Sequence, residues 1–135
     1  ARHVRKVTLH PGGKRGWLVQ DDILPTSGIP TAAGYAICLN WLLPDWEWEL
    51  DGMTFRIFSP SRTIRLCFTA SGIEEKSLSL NVYRAGEALT DTHISNPTWG
   101  WHSPNYGIKE PALAVHLTAQ GTLPIHVSTH WHLPA

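Results

Sequence analysis

The sequence is short of charge and of cysteine, and it has no long apolar run. Only 16% of its residues are charged, and eleven basic residues balance eleven acidic ones, so the formal net charge is zero. Nucleic acids and anionic membranes favour a clustered basic face, so this balance argues against both as main partners. No apolar stretch is long enough to span a bilayer, and no signal-peptide pattern is present.

The two cysteines, Cys38 and Cys67, lack the spacing of a metal or redox motif. This arrangement favours two buried free thiols, with a single disulfide as the alternative. A chain of 135 residues can bury a core without metal or disulfide links, which predicts one domain. Because the chain begins at Ala1 rather than Met, we expect a processed or excised piece of a longer protein.

No segment has a helical pattern, whereas short strand-forming stretches alternate with Gly, Pro, Asn, Asp and Ser. That alternation is typical of all-β sandwiches and barrels. We therefore predict a single antiparallel β-sandwich of about nine strands over residues 1–135. The predicted strands are 4–9, 16–24, 35–43, 45–50, 54–58, 63–69, 76–83, 111–118 and 123–131.

The C-terminal part of the sequence predicts a hairpin. Leu113, Val115 and Leu117 form one alternating apolar set, and a second set runs through 123–127. Facing the two sets leaves residues 119–121 as a three-residue loop, in which Gly121 would adopt the left-handed conformation.

Histidines occupy the other face of this predicted hairpin. His126, His130 and His132 lie at alternate positions, and His116 falls on the neighbouring strand. Two histidines at i and i+2 can ligate zinc if a third ligand comes from an adjacent strand, with His116 or His126 eligible. No Cys, Asp or Glu accompanies them at ligand spacing, so the favoured interpretation is a solvated polar face with no metal and no cofactor.

Catalytic patterns are scarce. Glu47 and Glu49 share a strand face and could form a glycosidase-like carboxylate pair, but the solvated side of an edge strand explains them more simply. There is no nucleophile elbow and no glycine-rich phosphate motif, since Gly12-Gly13 is typical of a turn. The chain is therefore predicted not to be an enzyme on its own, and no catalytic residue is assigned.

Seven tryptophans in a weakly charged chain are typical of sugar-binding modules, where indole faces stack on pyranose rings. Trp17, Trp41 and Trp131 lie in apolar strands and are predicted to be core. Trp46 and Trp48 share one strand face, which is either core, as we favour, or a two-ring stacking platform. The remaining pair, Trp99 and Trp101, belongs to the aromatic segment 96–111.

That segment, in "WGWHSPNYGIKEPALAV", resembles the C-terminal β-sandwich of the heparinase II/III-like polysaccharide lyases, which include many alginate lyase relatives. The likeness rests on Trp101, Ser103, Tyr106-Gly107, Lys109 and Pro111-Ala112, followed by an apolar strand. The stretches "RHVRKVTLHPGGKRGWLVQDDIL", "LNWLLPDWEWELDGMTF" and "GTLPIHVSTHWHLP" are similar to other parts of the same sandwich. The resemblance thus extends over essentially the whole chain, although a histidine common in the family is replaced near Asn40 or Trp41.

The resemblance implies an acidic, uronate-containing polysaccharide as partner and a parent lyase acting by β-elimination. It also implies an N-terminal (α/α) toroid that carries catalytic residues, and a secreted or periplasmic location. We therefore predict a non-catalytic carbohydrate-binding or substrate-supporting module. The alternatives are a purely structural domain that packs on the toroid and a small histidine-based metal enzyme. The predicted sugar contacts are Trp99, Trp101, His102, Tyr106 and Lys109.

Overall fold

A computed structural model describes residues 1–10, 15–26 and 34–134 of the chain. Over these residues the chain is almost entirely strand, with one turn of 3-10 helix at Glu75–Ser77. None of the helical structure in these ranges is long and apolar enough to cross a membrane. The strands are β1 (Arg2–Leu9), β2 (Gly16–Leu24), β3 (Tyr35–Leu43), β4 (Glu47–Asp51), β5 (Thr54–Phe58), β6 (Thr63–Ile73), β7 (Ser79–Arg84), β8 (Glu87–Ala88), β9 (Trp101–His102), β10 (Glu110–Pro111) and β11 (Leu113–His132).

Strand β11 organises the fold, because its two halves belong to different layers. Its first half, 113–121, lies between β3 and β7, and β8 extends that layer. Its second half, 125–132, lies between β2 and β6, and that layer continues through β1 on one side and β5 and β4 on the other. All these pairings are antiparallel, which confirms the predicted antiparallel β-sandwich.

The predicted C-terminal hairpin is wrong, because residues 113–132 form one continuous strand. Gly121 pairs with Ile73 on one side and Tyr35 on the other, so it is not in a loop. A Cβ at Gly121 would collide with the Gly72 carbonyl oxygen and lie 2.8 Å from Ile73 Cα. The glycine therefore permits close approach of two strands, rather than a left-handed turn.

The core lies between the layers and is lined by alternate residues of each strand. Odd-numbered residues of β11 are buried from Leu113 through Thr129, in both halves of the strand. They pack with Leu80 and Val82 in one layer and with Phe55 and Leu66 in the other. One hydrophobic core thus holds both layers together, as a single domain requires.

Both cysteines are free thiols in the described part of the chain, as favoured from the sequence. The expectation that both are buried is wrong, since Cys38 is exposed and Cys67 half-buried. Cys38 occupies an even position of β3, and the odd positions of that strand carry the partly buried side chains. Although the residue is exposed overall, the surrounding protein removes part of the water around the Cys38 sulfur, and this desolvation raises the pKa of the thiol.

Candidate functional site

Strands β9 and β10 form a small separate sheet that closes a projecting loop. His102 pairs with Glu110, and Trp101 pairs with Pro111. We call residues 101–111 the aromatic arm. At its base the Ser103 hydroxyl lies 2.9 Å from the Asn105 carbonyl oxygen and 2.8 Å from that of Ile108. These contacts brace the loop from within.

Tyr106 lies at the tip of the aromatic arm and is fully exposed, with a relative accessibility of 105%. Next to it, Gly107 adopts a left-handed φ of +76°, which turns the chain back toward β10. Tyrosine rings usually bury much of their area, so this exposure leaves both faces of the ring accessible for stacking. Tyr106 therefore offers an uncovered ring face on a braced loop.

Trp101 and Lys109 form a second element of the arm. The Lys109 Nζ lies 4.0 Å from the centroid of the Trp101 ring, within the range of a cation–π contact. The Trp101 indole N–H donates to the Pro97 carbonyl oxygen at 2.9 Å, which fixes the plane of the ring. A positive charge is thus held beside an oriented indole, three residues from Tyr106.

His102 and Glu110 point away from Trp101, because neighbouring strand residues face opposite sides. With Leu42, Pro44 and Asp45 they line a cleft of about 470 Å³ between the arm and the end of β3. The volume is within the range of clefts that bind small ligands. The five predicted contact residues are therefore divided: Trp101 and Lys109 lie on one side of the arm, His102 lies on the other, and Tyr106 is at the tip.

Asp45 forms the acidic wall of this cleft and is fixed by Arg84. The Arg84 Nε and Nη2 atoms donate to the two Asp45 carboxylate oxygens, both at 2.7 Å. The hydrogen bonds from Arg84 lower the pKa of Asp45, and the guanidinium charge adds to the effect. Asp45 is therefore an ionised hydrogen-bond acceptor at neutral pH.

Trp99 lies apart from the other four predicted contact residues and is partly buried below the protein surface. Its half-buried ring makes edge contacts with Tyr83, at 4.8 Å between centroids, and with His116, at 4.5 Å. Gly100 then carries the chain close to β7, and its carbonyl oxygen accepts the N–H groups of Ala85 and Ala112. Trp99 thus anchors the arm to the outer face of β11.

Four of the five remaining tryptophans pack against the core, whereas Trp17, also predicted to be core, is half-buried and is not among the residues packed on it. Trp41 and Trp131 pack against the core, and Trp131 stacks on Trp17 at 5.3 Å between centroids. Trp46 and Trp48 are also half-buried against the core, where Trp48 stacks on Phe55. The favoured core assignment of Trp46 and Trp48 agrees with this packing.

The four histidines of β11 lie in three different environments. His116 is buried beneath Trp99, and burial lowers its pKa. His126 Nδ1 lies 2.6 Å from Asp22 Oδ1 on β2. His130 and His132 lie at the end of β11, where they stack on His10, a residue that the sequence interpretation did not select.

We call His10, His130 and His132 the histidine cluster. Each offers a ring nitrogen, and these nitrogens all lie within 4.8 Å of one another. Neither His116 nor His126, the third ligands considered from the sequence, joins them in the part of the chain that the structure describes. His10 directly follows β1, and only the pairing of β1 with β2 and of β2 with β11 shows that it lies near His132.

The basic first strand, part of the family resemblance, has a structural role. Asp21 on β2 is buried, and its carboxylate contacts His3 Nε2 at 2.6 Å and Arg5 Nε at 2.7 Å. The Arg5 guanidinium also lies 5.0 Å from the Trp41 ring of the opposite layer. His3 and Arg5 therefore hold β1 on the sandwich.

No protein-family model, no curated protein and no solved structure matches this chain significantly. The fold and the geometry of the site therefore carry the functional argument, and the resemblance to heparinase II/III-like lyases stays a prediction.

Proposed function

We propose that the protein is a non-catalytic carbohydrate-binding β-sandwich module that binds an acidic, uronate-containing polysaccharide through the aromatic arm. The observation that carries the proposal is the full exposure of Tyr106 at the tip of a loop braced by Ser103. A pre-ordered loop loses little conformational entropy when it binds, so an exposed ring on it is well suited to stack on a sugar.

Lys109 gives the arm its preference for acidic sugars. Its ammonium group is already held near the tip by the Trp101 ring, at 4.0 Å from the ring centroid. An exposed cation–π contact contributes about 0.5–1 kcal/mol, so a uronate carboxylate can draw the ammonium group away at small cost. Stacking on Tyr106 and an ion pair with Lys109 would then act on the same or adjacent sugar rings.

The cleft on the other side of the arm suits hydroxyl groups rather than carboxylates. Glu110 and the ionised Asp45 line it, and both accept hydrogen bonds while repelling a second acid. His102 adds a ring nitrogen at its rim. We place the acidic ring at Lys109 and assign the cleft to hydroxyls of a neighbouring ring.

The proposal includes a parent protein, a heparinase II/III-like polysaccharide lyase with an (α/α) toroid, in which this module helps to hold substrate. One aromatic–sugar contact contributes about 1 kcal/mol. With one ring and one charge, the isolated module should bind with a Kd of about micromolar to millimolar.

Affinity electrophoresis in gels containing alginate, heparan sulfate or a neutral glucan tests the proposal. We expect retardation by at least one acidic polymer, weakened at least threefold in Kd by Tyr106→Ala or Lys109→Ala. Ile94→Ala and Lys76→Ala are matched controls, since both side chains are exposed and lie outside the arm. Trp101→Ala should also weaken binding, whereas Trp99→Ala should act through stability. Absence of binding to every polymer would refute the proposal.

A second candidate function is domain packing, favoured by the inner face of β1. Val7 and Leu9 lie opposite Val19 and Trp17 of β2, yet they are 61% and 78% exposed. The core-facing side of β1 and β2 thus extends beyond the edge of the opposite layer, which leaves Val7 and Leu9 uncovered. Apolar residues in such a place, beside a strand edge that no other described strand pairs with, suit a neighbouring domain such as the proposed toroid.

Domain packing through β1 can be tested with the isolated chain. If β1 packs on another domain, the free module should self-associate at high concentration, and Val7→Lys with Leu9→Lys should abolish this without loss of stability. Light scattering coupled to size exclusion measures the mass. A monomeric wild type at millimolar concentration would argue against packing through β1.

A further inference from the structure

We infer that the histidine cluster of His10, His130 and His132 is a binding site for a divalent transition-metal ion, with Zn²⁺ as the first choice. This inference is independent of carbohydrate binding. The cluster lies at the C-terminal end of β11, whereas the aromatic arm precedes the N-terminal end of that strand.

Two of the ligands are fixed by the sheet. His130 and His132 lie two positions apart on β11, so both side chains leave the same face of the strand. This part of β11 is hydrogen-bonded on both sides, to β2 and to β6. A pair of i, i+2 histidines on an interior strand is a rigid base for a metal ion, because the backbone has no freedom to separate them.

The third ligand is brought in by a glycine. His132 pairs with Gly16 on β2, and the His10 N–H donates to the Gly16 carbonyl oxygen at 3.3 Å. Gly16 thus lies between the two histidines and carries no side chain to separate them. A Cβ there would collide with the Trp131 carbonyl oxygen and lie 3.2 Å from His10 Cδ2. The glycine allows the His10 and His132 rings to approach to 5.3 Å between centroids.

His10 also has a nitrogen that needs a partner. Its Nε2 atom is buried and makes no hydrogen bond to the described residues. A buried polar atom without a partner costs about 1–3 kcal/mol. Coordination of a cation by Nε2 would remove that cost, and the neutral imidazole is the form that binds a metal.

The spacing of the three nitrogens is close to what Zn²⁺ requires. Zinc–nitrogen bonds of about 2.0–2.1 Å in tetrahedral geometry place ligand nitrogens about 3.4 Å apart. The cluster holds its nitrogens within 4.8 Å, but the ring planes are within 18° of parallel, so the nitrogen lone pairs do not point at one position. Binding of an ion therefore requires the rings to rotate about their side-chain bonds. Three histidines leave a fourth position for water.

The chemistry of the cluster favours a metal over an anion. Three imidazole nitrogens that lie close together can ligate one metal ion jointly. Arg65 lies opposite His132 on β6 and adds a positive charge nearby, which favours sulfate or phosphate instead. We assign a metal ion, and anion binding is one outcome of the test.

Titration of the untagged chain with Zn²⁺ at pH 7.5, followed by calorimetry, tests the inference. We expect one ion per chain with a Kd below about 10 μM, and at least tenfold weaker binding after His10→Gln, His130→Gln or His132→Gln. His126→Gln is the matched control, since it lies on the same strand but outside the cluster. Co²⁺ as a probe should give the visible absorption of a tetrahedral site.

Several results would overturn the inference. They are the absence of stoichiometric binding by the wild type, an equal loss in His126→Gln, and affinity unchanged by His10→Gln. Binding of sulfate but not Zn²⁺ would replace the metal by an anion. Circular dichroism of each variant shows whether it is folded, and the wild-type titration decides the question even if a variant is not. Loss of glycan binding with intact zinc binding would contradict only the proposed function. Loss of zinc binding with intact glycan binding would contradict only this inference.

Discussion

Arg5 and Asp21 form a two-point ion pair that joins β1 to β2, with Nε 2.7 Å from Oδ1 and Nη2 3.1 Å from Oδ2. The Asp21 side chain is 4% exposed, so the pair is partly sheltered from water. Arg84 and Asp45 form a similar pair on the surface, where the Asp45 side chain is 34% exposed. The two pairs allow the effect of burial to be measured at matched geometry.

We expect Arg5→Met to lower the free energy of unfolding by about 2 kcal/mol, because among the described residues it leaves the buried carboxylate with His3 alone as side-chain partner. Arg84→Met should cost clearly less than Arg5→Met, since an exposed carboxylate is rehydrated by water. Urea denaturation at pH 7 measures both. Equal losses in the two variants would show that burial of Asp21 does not strengthen its pair.

Gly100 and Gly107 have nearly the same left-handed φ, +78° and +76°, but different surroundings. A Cβ at Gly100 would lie 2.8 Å from Arg84 Cα and from Ala85 N, whereas at Gly107 it would meet nothing within 4 Å. We expect Gly107→Ala to cost about 1 kcal/mol, from backbone conformation alone.

Gly100→Ala should cost at least about 2 kcal/mol more than Gly107→Ala, because steric overlap adds to the same conformational term. Thermal denaturation of the two variants compares them directly. Similar melting temperatures would mean that the backbone at Gly100 can shift away from β7 at little cost in free energy, which contradicts the described packing.

Stability should fall on acidification because of His116. Burial lowers its pKa in the folded state below the ordinary value of about 6.5, so the unfolded chain binds more protons once the pH falls through that value. Unfolding then becomes easier as pH decreases, and the loss continues until the folded-state pKa is reached. We expect the free energy of unfolding to be lower at pH 5.5 than at pH 7.5.

The variant His116→Phe, which keeps a ring between Tyr83 and Trp99, should reduce that pH dependence. His93→Phe, at an exposed position, serves as the control. Urea denaturation at both pH values gives the slopes. An unchanged slope in His116→Phe would assign the acid sensitivity to other groups.

Hydrogen exchange should distinguish the continuous strand β11 from a hairpin. The Gln120 N–H donates to Ser77 Oγ at 2.8 Å, and the Gln120 carbonyl oxygen accepts the Glu74 N–H. We expect slow exchange of the Gln120 amide and fast exchange at Tyr106 and Gly107 in the arm. Ser77→Ala should increase exchange at Gln120 at least tenfold and leave the arm unchanged. Rapid exchange of the Gln120 amide in the wild type would contradict the continuous strand.

The sequence predicted most strands because alternation of apolar and polar residues is a local property. It failed at Gly121, where "AQG" has the composition of a loop. The apolar positions keep the same odd numbering from Leu113 to Val127, and an unbroken parity indicates one strand rather than two. Tracking parity across the glycine would have corrected the prediction.

The candidate sites were predictable only in part. Segment 96–111 was identified from its aromatics, but which of its rings are exposed depends on the turn at Gly100 and on the partners of Trp99. The histidine cluster was half-identified through His130 and His132. His10 was missed because its proximity depends on strand order, which is a non-local property that alternation does not reveal.

The position of β11 also bears on how the chain reaches its fold. Strands β2 and β3 both pair with β11, and so do β6 and β7. The strands formed earlier along the chain therefore keep apolar faces uncovered until β11 has left the ribosome. Non-local pairing of this kind slows folding and prolongs exposure of apolar surface. The two layers can join around one core only after β11 is available to pair in both of them.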